Sequence, residues 1–331
     1  MRVENQAASG ILEEFRVDFL ECWRQLPNRA FFFILLVAWL ALFHFLGNST
    51  MGYIRTPSLL LWMFYTYNPT TEIPGGAEDD YCQIVPLVVL GLFWWKRKEL
   101  LGLRLETWWP GLILLAFGLV LHIGSYVVQQ PKLSIVAMLV GIYGLMGLAW
   151  GGRFLRASFF PFSLLIFCVP LGSAGQGVTW PLRLLVAKIV AGIAHLGLAP
   201  GLVREGTRLL DAQSAFSYDI APACSGIRSL VSLLALTAIY GFVSFKTTWK
   251  KLLMVAAAFP LAVIGNVVRL TFTVAVAETF GQEAGSWVET KFGFVTFAVA
   301  LGCVLLMGHW LRERRVQEPR RLSGLEEVET A

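Results

Sequence analysis

The chain has 331 residues, of which 56% are hydrophobic and 15% are charged, and its mean hydropathy is +0.64. Soluble domains usually carry about 25% charged residues, so this composition excludes a soluble globular protein. The formal net charge is +5, but the basic residues lie beside long apolar runs. That pattern favours the orientation of membrane spans over nucleic-acid binding. We therefore expect a multi-pass membrane protein with no nucleic-acid partner.

The N-terminal third begins with a mixed-charge segment. Residues 1–29 carry apolar side chains at loose helical spacing, which predicts either an amphipathic helix on the cytoplasmic surface or a solvated leader. The first span is predicted from Ala30 to about Gly47. Turn residues and an acidic trio then predict a loop from Asn48 to Tyr81. Its apolar stretch, Leu59 to Phe64, is too short to span and is expected to lie in the membrane interface.

Four more spans are predicted before the middle of the chain. They cover Gln83 to Trp95, Pro110 to Val128, Ser134 to Trp150, and Ser158 to about Leu171. Two basic clusters, at 96–98 and at Arg153 and Arg156, mark the cytoplasmic side. The small residues Gly172 to Gly177 predict a break after the fifth span.

A more polar region separates the fifth and sixth spans. Val178 to Leu198 has apolar residues at helical spacing but also contains Arg183, Lys188 and His195. This pattern predicts an interfacial or partly buried amphipathic helix. Apolar residues on either side of 211–214 then predict a small outward-facing hairpin of two short strands. These apolar residues are Leu209, Leu210, Phe216, Tyr218 and Ile220.

Three further spans complete the prediction. They cover Ile227 to Phe245, Leu252 to about Val276, and about Phe292 to Leu311, with an acidic outer loop from Glu278 to Lys291. With about eight spans, every clear basic cluster beside a span lies on one side, so both termini are expected in the cytoplasm.

The expected organisation is a leader at 1–29, a membrane domain at 30–311 and a charged cytoplasmic tail at 312–331. The fold class is an all-α polytopic membrane protein with about eight transmembrane helices. A small extracytoplasmic helix and hairpin lie between spans five and six.

Cys224 is the first candidate for chemistry. It lies in the run Ala-Pro-Ala-Cys-Ser-Gly-Ile-Arg at 221–228, where the predicted hairpin ends and the sixth span begins. A cysteine in the first helical turn faces the positive end of the helix dipole and free N–H groups, and both lower its pKa. Arg228, one turn further, adds positive charge. The alternative is a small buried residue at a helix start.

Arg269 is the second candidate, because a charged side chain inside an apolar span must find an anion, carbonyl groups or water. Asn266 shares its helix face. The alternative is a structural role, by snorkelling or by pairing with a loop carboxylate such as Asp219. Cys224 and Arg269 fall on adjacent antiparallel spans at similar depth. A thiolate beside an oxyanion-stabilising guanidinium forms a coherent acyl-transfer site.

The membrane-edge Pro-Ala-Cys-Ser-Gly-Ile-Arg-Ser run at 222–229, followed by Asn-x-x-Arg at 266–269, resembles the exosortase/archaeosortase family. The resemblance is specific from about Phe160 to Gly293. It implies that Cys224 is the nucleophile and that Arg269 assists it. Four further residues are expected to support the site or bind substrate: Arg228, Asn266, Ser225 and Gly226.

The resemblance also implies an activity and a location. The activity is that of a cysteine peptidase or transpeptidase acting through a thioester at the extracytoplasmic face of the inner membrane. Its partners are membrane lipids and exported, membrane-anchored surface proteins. The cleaved element is their C-terminal sorting signal, which consists of a short motif, a transmembrane helix and a basic tail, as in PEP-CTERM proteins.

One position departs from the family pattern, which usually has His or Arg about four residues before a glycine at the start of the last span. Here Glu289 precedes Gly293 at that spacing. Lys291 is an alternative source of positive charge, Glu289 is an alternative proton acceptor, and His195 is a more distant candidate. The five cysteines contain no CxxC pair, and the sequence predicts no metal and no cofactor.

Two other functions remain compatible with the sequence. One is a non-enzymatic transporter or assembly protein for surface-polymer export, which uses Arg269 to hold an anionic ligand and Cys224 only for packing. The other is an inactive family member. A transporter tolerates Cys224→Ala, whereas a thiol enzyme does not.

Overall fold

The computed structural model describes residues 2–50, 54–68, 80–170, 172–198, 201–211, 217–219, 227–291 and 293–311. Within these ranges the chain forms thirteen α-helices. Their bounds are α1 Arg2–Gln25, α2 Arg29–Leu46, α3 Leu59–Tyr67, α4 Val85–Trp95, α5 Arg97–Leu101, α6 Gly111–Val127, α7 Pro131–Trp150, α8 Gly152–Ser163, α9 Gly172–Ile193, α10 Ile227–Ser244, α11 Thr248–Phe280, α12 Gln282–Lys291 and α13 Gly293–Trp310.

Three helices are long and apolar enough to cross a membrane: α2, α7 and α11. Four shorter apolar segments cover 81–95, 111–127, 230–244 and 297–310. These seven segments coincide with seven of the predicted spans. The fold is therefore that of an all-α membrane protein. The predicted number of eight spans stays a prediction.

The helices of the N-terminal half pack through glycines. A Cβ atom on Gly118 of α6 would lie 2.9 Å from the carbonyl oxygen of Ala137 on α7. Gly141, one turn after Ala137 on α7, lies against the ring of Trp39 on α2, and Trp39 Nε1 donates a hydrogen bond to the Met138 carbonyl at 3.1 Å. Small residues let membrane helices approach this closely, and the close approach holds α2, α6 and α7 together.

The predicted fifth span is not one α-helix. Helix α8 begins at Gly152, contains Pro161, and passes at residue 164 into a 3₁₀-helix that ends at Cys168. Proline has no N–H to donate to the carbonyl four residues earlier. That carbonyl, of Ala157, instead accepts a hydrogen bond from the buried Lys96 Nζ at 2.8 Å. The apolar pattern of this segment does not show whether it forms an α-helix followed by a 3₁₀-helix or one straight spanning helix.

Three predicted irregular segments contain helix. The predicted loop from Asn48 to Tyr81 contains α3, Leu59–Tyr67. The small-residue stretch Gly172 to Gly177, predicted as a break, forms the first turns of α9. The predicted acidic loop from 278 to 291 contains the end of α11 and all of α12. The turn between them is made at Gly281, which has a φ of 87° and is therefore in the conformation that glycine adopts most easily. The residues on either side of Gly281 are helical, up to Phe280 in α11 and from Gln282 in α12.

The region between α9 and α10 contains a three-stranded antiparallel sheet, β1 Leu202–Glu205, β2 Arg208–Asp211 and β3 Ser217–Asp219. The predicted hairpin corresponds to β2 and β3, which pair from Leu210 with Ser217. Strand β1 was not predicted. It joins β2 through a turn at Gly206, whose φ is 64°. Leu202 and Leu209 bury the sheet against α9 and α11.

Candidate active site

Arg269 lies on α11, in the part of this helix that packs against α9 and α10. Its neighbours Val267 and Leu270 pack in a cluster with residues of α9, and Arg269 itself is half-buried, with its Nε shielded from solvent. Asn266 is also half-buried, one turn earlier on the same helix. The structure therefore places this Asn-x-x-Arg pair inside the helix bundle.

The start of α10 packs beside this segment of α11. Leu230, in the first turn of α10, is buried in a cluster with Ala262, which precedes Asn266 by one turn. Helix α10 begins at Ile227, three residues after Cys224. Three residues of extended chain reach at most about 11 Å. Cys224, Ser225 and Gly226 lie outside the described residues, as does the side chain of Arg228.

A second arginine in this interface was not predicted to be functional. Arg183 on α9 is 6% exposed, and it shares the buried face of that helix with Val186, Ala187 and Val190. Among the described residues, neither its Nε nor its Nη2 has a hydrogen-bond partner. The sequence carried a signal, because Arg183 lies on the apolar stripe at helical spacing, whereas Lys188 and His195 are exposed.

The helices around these arginines carry almost no negative charge. The sequences of α9, α10 and α13 contain no acidic residue, and α11 contains only Glu278, which is exposed near its end. A buried guanidinium is costly unless an anion accompanies it. Within these four helices, Glu278 is therefore the one acidic residue that could accompany a buried guanidinium.

The chain matches the transmembrane exosortase family over residues 75–306, which is more than half of its length. It belongs to this family. No curated protein and no solved structure matches it. The family match confirms the resemblance found around the Cys-Ser-Gly-Ile-Arg and Asn-x-x-Arg motifs. It also extends upstream of Phe160, where only the hydropathy pattern had been similar.

The candidates for a third group in this exosortase lie on different elements. Glu289 and Lys291 belong to the last turns of α12, which packs against α11 and α13. Lys291 is exposed, and the side chain of Glu289 lies outside the described residues. His195 is exposed in the π-helical turn Ala194–Leu198. The role of each stays a prediction.

The other four cysteines of the exosortase are free thiols that are buried or half-buried in the described part of the chain. Cys82 and Cys168 are buried next to each other: Cys82 Sγ donates to the Phe167 carbonyl at 3.2 Å, and Cys168 Sγ to the Cys82 carbonyl at 3.8 Å. Cys22 and Cys303 are half-buried on α1 and α13. Within the part of the chain that the structure describes, no group of three or more His, Cys, Asp or Glu residues could hold a metal ion.

Proposed function

We propose that this exosortase is a membrane-embedded cysteine transpeptidase that removes the C-terminal sorting signal of exported surface proteins. The observation that supports the proposal most is the position of Arg269. It lies inside the bundle on α11, next to the start of α10, and the nucleophile candidate Cys224 precedes α10 by three residues. Acyl transfer needs a nucleophile and a group that stabilises the developing oxyanion, and these residues supply both.

In the proposed reaction, the Cys224 thiolate attacks the carbonyl carbon of the peptide bond beside the substrate's transmembrane helix. Arg269 and backbone N–H groups stabilise the negative oxygen of the tetrahedral intermediate. The C–N bond then breaks, and the leaving amine takes a proton, for which Glu289 or Lys291 is the proposed source. An acceptor amine, or water, attacks the resulting thioester, releases the product and restores the thiolate.

The substrates in this proposal are membrane-anchored at their C-terminus by a helix and a basic tail. The substrate helix enters from the lipid side, and the reaction takes place at the extracytoplasmic edge, where the polar sheet β1–β3 packs against α9 and α11. Both termini of the exosortase are then cytoplasmic, which the basic cluster at 96–98 supports.

A single-cysteine variant tests the proposal. Cys22, Cys82, Cys168 and Cys303 are replaced with alanine, which leaves Cys224, and a substrate carrying a motif, helix and basic tail is co-expressed. We expect this variant to process the substrate. We also expect a membrane-impermeant maleimide added to the outer face to lower the rate of processing at least about tenfold. The measurement is the mass of the substrate in membranes.

The matched control is the same variant with Cys224→Ala and Cys303 restored, which leaves one half-buried thiol on α13. This control is expected to be inactive with or without maleimide. Processing by the control at the rate of the single-cysteine variant would contradict the proposal and favour a transport or assembly role.

A further inference from the structure

A cleft of about 210 Å³ lies at one end of the packed helix pair α6 and α7. One wall is the segment 104–108, which precedes α6, and the other is the start of α8, which follows α7 after a turn at Gly151. Gly151 has a φ of 100°, and a Cβ atom there would lie 2.7 Å from the Glu106 carbonyl oxygen. Glycine at this position therefore lets the backbones of the two walls pack directly against each other.

The lining of the cleft is positively charged. Three arginines contribute to it: Arg104, Arg153 and Arg156. Glu106 is the one acidic residue in the lining as the structure describes it, and it forms an ion pair with Arg104. Arg153 and Arg156 are exposed and three residues apart, on one side of α8, and neither forms an ion pair with an acidic residue of the described chain. The cleft therefore has two guanidinium groups that no carboxylate neutralises.

The cleft lies at the level of a membrane interface. The apolar segments of α6 and α7 cover 111–127 and 131–150, and the cleft is found where α6 begins and α7 ends. Trp109, at the edge of the cleft, is 71% exposed, and tryptophan is enriched at the level of the lipid headgroups. The basic residues here and at 96–98 predict the cytoplasmic interface, whose leaflet carries anionic lipids.

An apolar stripe leads from the cleft into the membrane. Ile113, Phe117 and Val120 are exposed and follow one another along one face of α6, starting one turn after Trp109. A lipid whose headgroup lies in the cleft can therefore place an acyl chain along this stripe. The cleft is also smaller than the roughly 300–1,000 Å³ of pockets that enclose a whole small-molecule ligand, so its size suits a headgroup.

We propose that this cleft binds the phosphate group of an anionic phospholipid in the adjacent leaflet. The planar N–H pairs of Arg153 and Arg156 match phosphate oxygens, and the excess positive charge of the lining matches the charge of the phosphate. Binding forms and breaks no covalent bond. The inference goes beyond the proposed function and does not depend on it, because the cleft and the acyl-transfer site are predicted on opposite sides of the membrane.

The first test uses phosphatidylglycerol as the probe, with full-length exosortase in a neutral detergent and native mass spectrometry to measure the Kd. We expect the double variant Arg153→Gln/Arg156→Gln to weaken the tightest binding step at least about tenfold, because each basic residue near an anionic lipid surface contributes about fivefold. Phosphatidylcholine, whose headgroup has no net charge, is expected to bind the parent and the variant equally weakly.

The matched control is Arg24→Gln/Lys98→Gln, which removes two exposed positive charges from α1 and α5 and so changes the net charge by the same amount. We expect its Kd for phosphatidylglycerol to stay within about twofold of the parent. An equal loss of affinity in this control, or an unchanged affinity in Arg153→Gln/Arg156→Gln, would overturn the proposal.

A gain of affinity is expected from Glu106→Gln, and misfolding cannot produce such a gain. This substitution releases Arg104 from its ion pair and raises the net charge of the cleft by one. We expect phosphatidylglycerol to bind about threefold to fivefold more tightly to this variant than to the parent. Unchanged or weaker binding would contradict a phosphate site between these side chains.

Glycerol 3-phosphate distinguishes a lipid from a soluble phosphate, because it offers a phosphate group without acyl chains. We expect an equal concentration of glycerol 3-phosphate to leave bound phosphatidylglycerol in place, since it makes no contact with the apolar stripe on α6. Displacement of the lipid at equal concentration would overturn the lipid as the ligand and assign the cleft to a soluble phosphate.

Discussion

Replacing Cys224 with alanine is expected to abolish the release of the substrate's C-terminal helix. The loss is at least about 10³-fold, because the reaction cannot form a thioester without the thiolate. Cys224→Ser is expected to be nearly as defective, since a hydroxyl is a much weaker nucleophile at the same pH. The measurement is the fraction of processed substrate in membranes that contain equal amounts of inserted exosortase.

The control for this experiment is Cys303→Ala, which removes a half-buried thiol on α13 without touching the interface of α9, α10 and α11. It is expected to process substrate at the parent rate. Wild-type processing by Cys224→Ala would end the thiol mechanism and favour the transporter or assembly function, in which Cys224 only packs.

Replacing Arg269 with glutamine is expected to lower the rate of processing by about 10²- to 10³-fold, which is the usual effect of removing one oxyanion-stabilising donor. Glutamine keeps a polar donor on a shorter side chain but loses the charge. Arg269→Lys is expected to retain part of the activity, because lysine keeps the charge but not the planar pair of donors. Single-turnover rates with a detergent-solubilised substrate measure both effects.

Thr271→Val on the same helix is the matched control. The Oγ1 of Thr271 is buried and has no hydrogen-bond partner among the described residues, so its removal is expected to change neither stability nor rate. An Arg269→Gln variant that is folded and as fast as Thr271→Val would show that Arg269 is not part of the chemistry.

The sequence was sufficient to predict where most membrane helices lie and which family the chain resembles. A long apolar run with basic flanks forms a helix that spans the membrane. The predicted bounds of six helices are therefore close to the observed ones: α2, α6, α7, α10, α11 and α13. The motif around Cys224 and the Asn-x-x-Arg at 266–269 were sufficient to predict the exosortase family, which the match over 75–306 confirms.

Other features depend on contacts that a sequence pattern does not contain. The division of the fifth span into α8 and a 3₁₀-helix depends on Pro161 and on the hydrogen bond from Lys96 to the Ala157 carbonyl. The two partners of this bond are 61 residues apart in the sequence. The burial of Arg183 was not predicted, for a related reason. A single charge in an apolar helix was interpreted as part of a polar face, whereas packing against α11 buries it.

The most direct test of the account is to trap the covalent intermediate. Purified exosortase in proteoliposomes is mixed with substrate, no acceptor amine is added, the reaction is stopped with acid, and the peptide containing Cys224 is analysed by mass spectrometry. We expect an added mass equal to the N-terminal part of the cleaved substrate, attached at Cys224 and removed by hydroxylamine. Cleavage without any adduct, or with the adduct on a different residue, would contradict it.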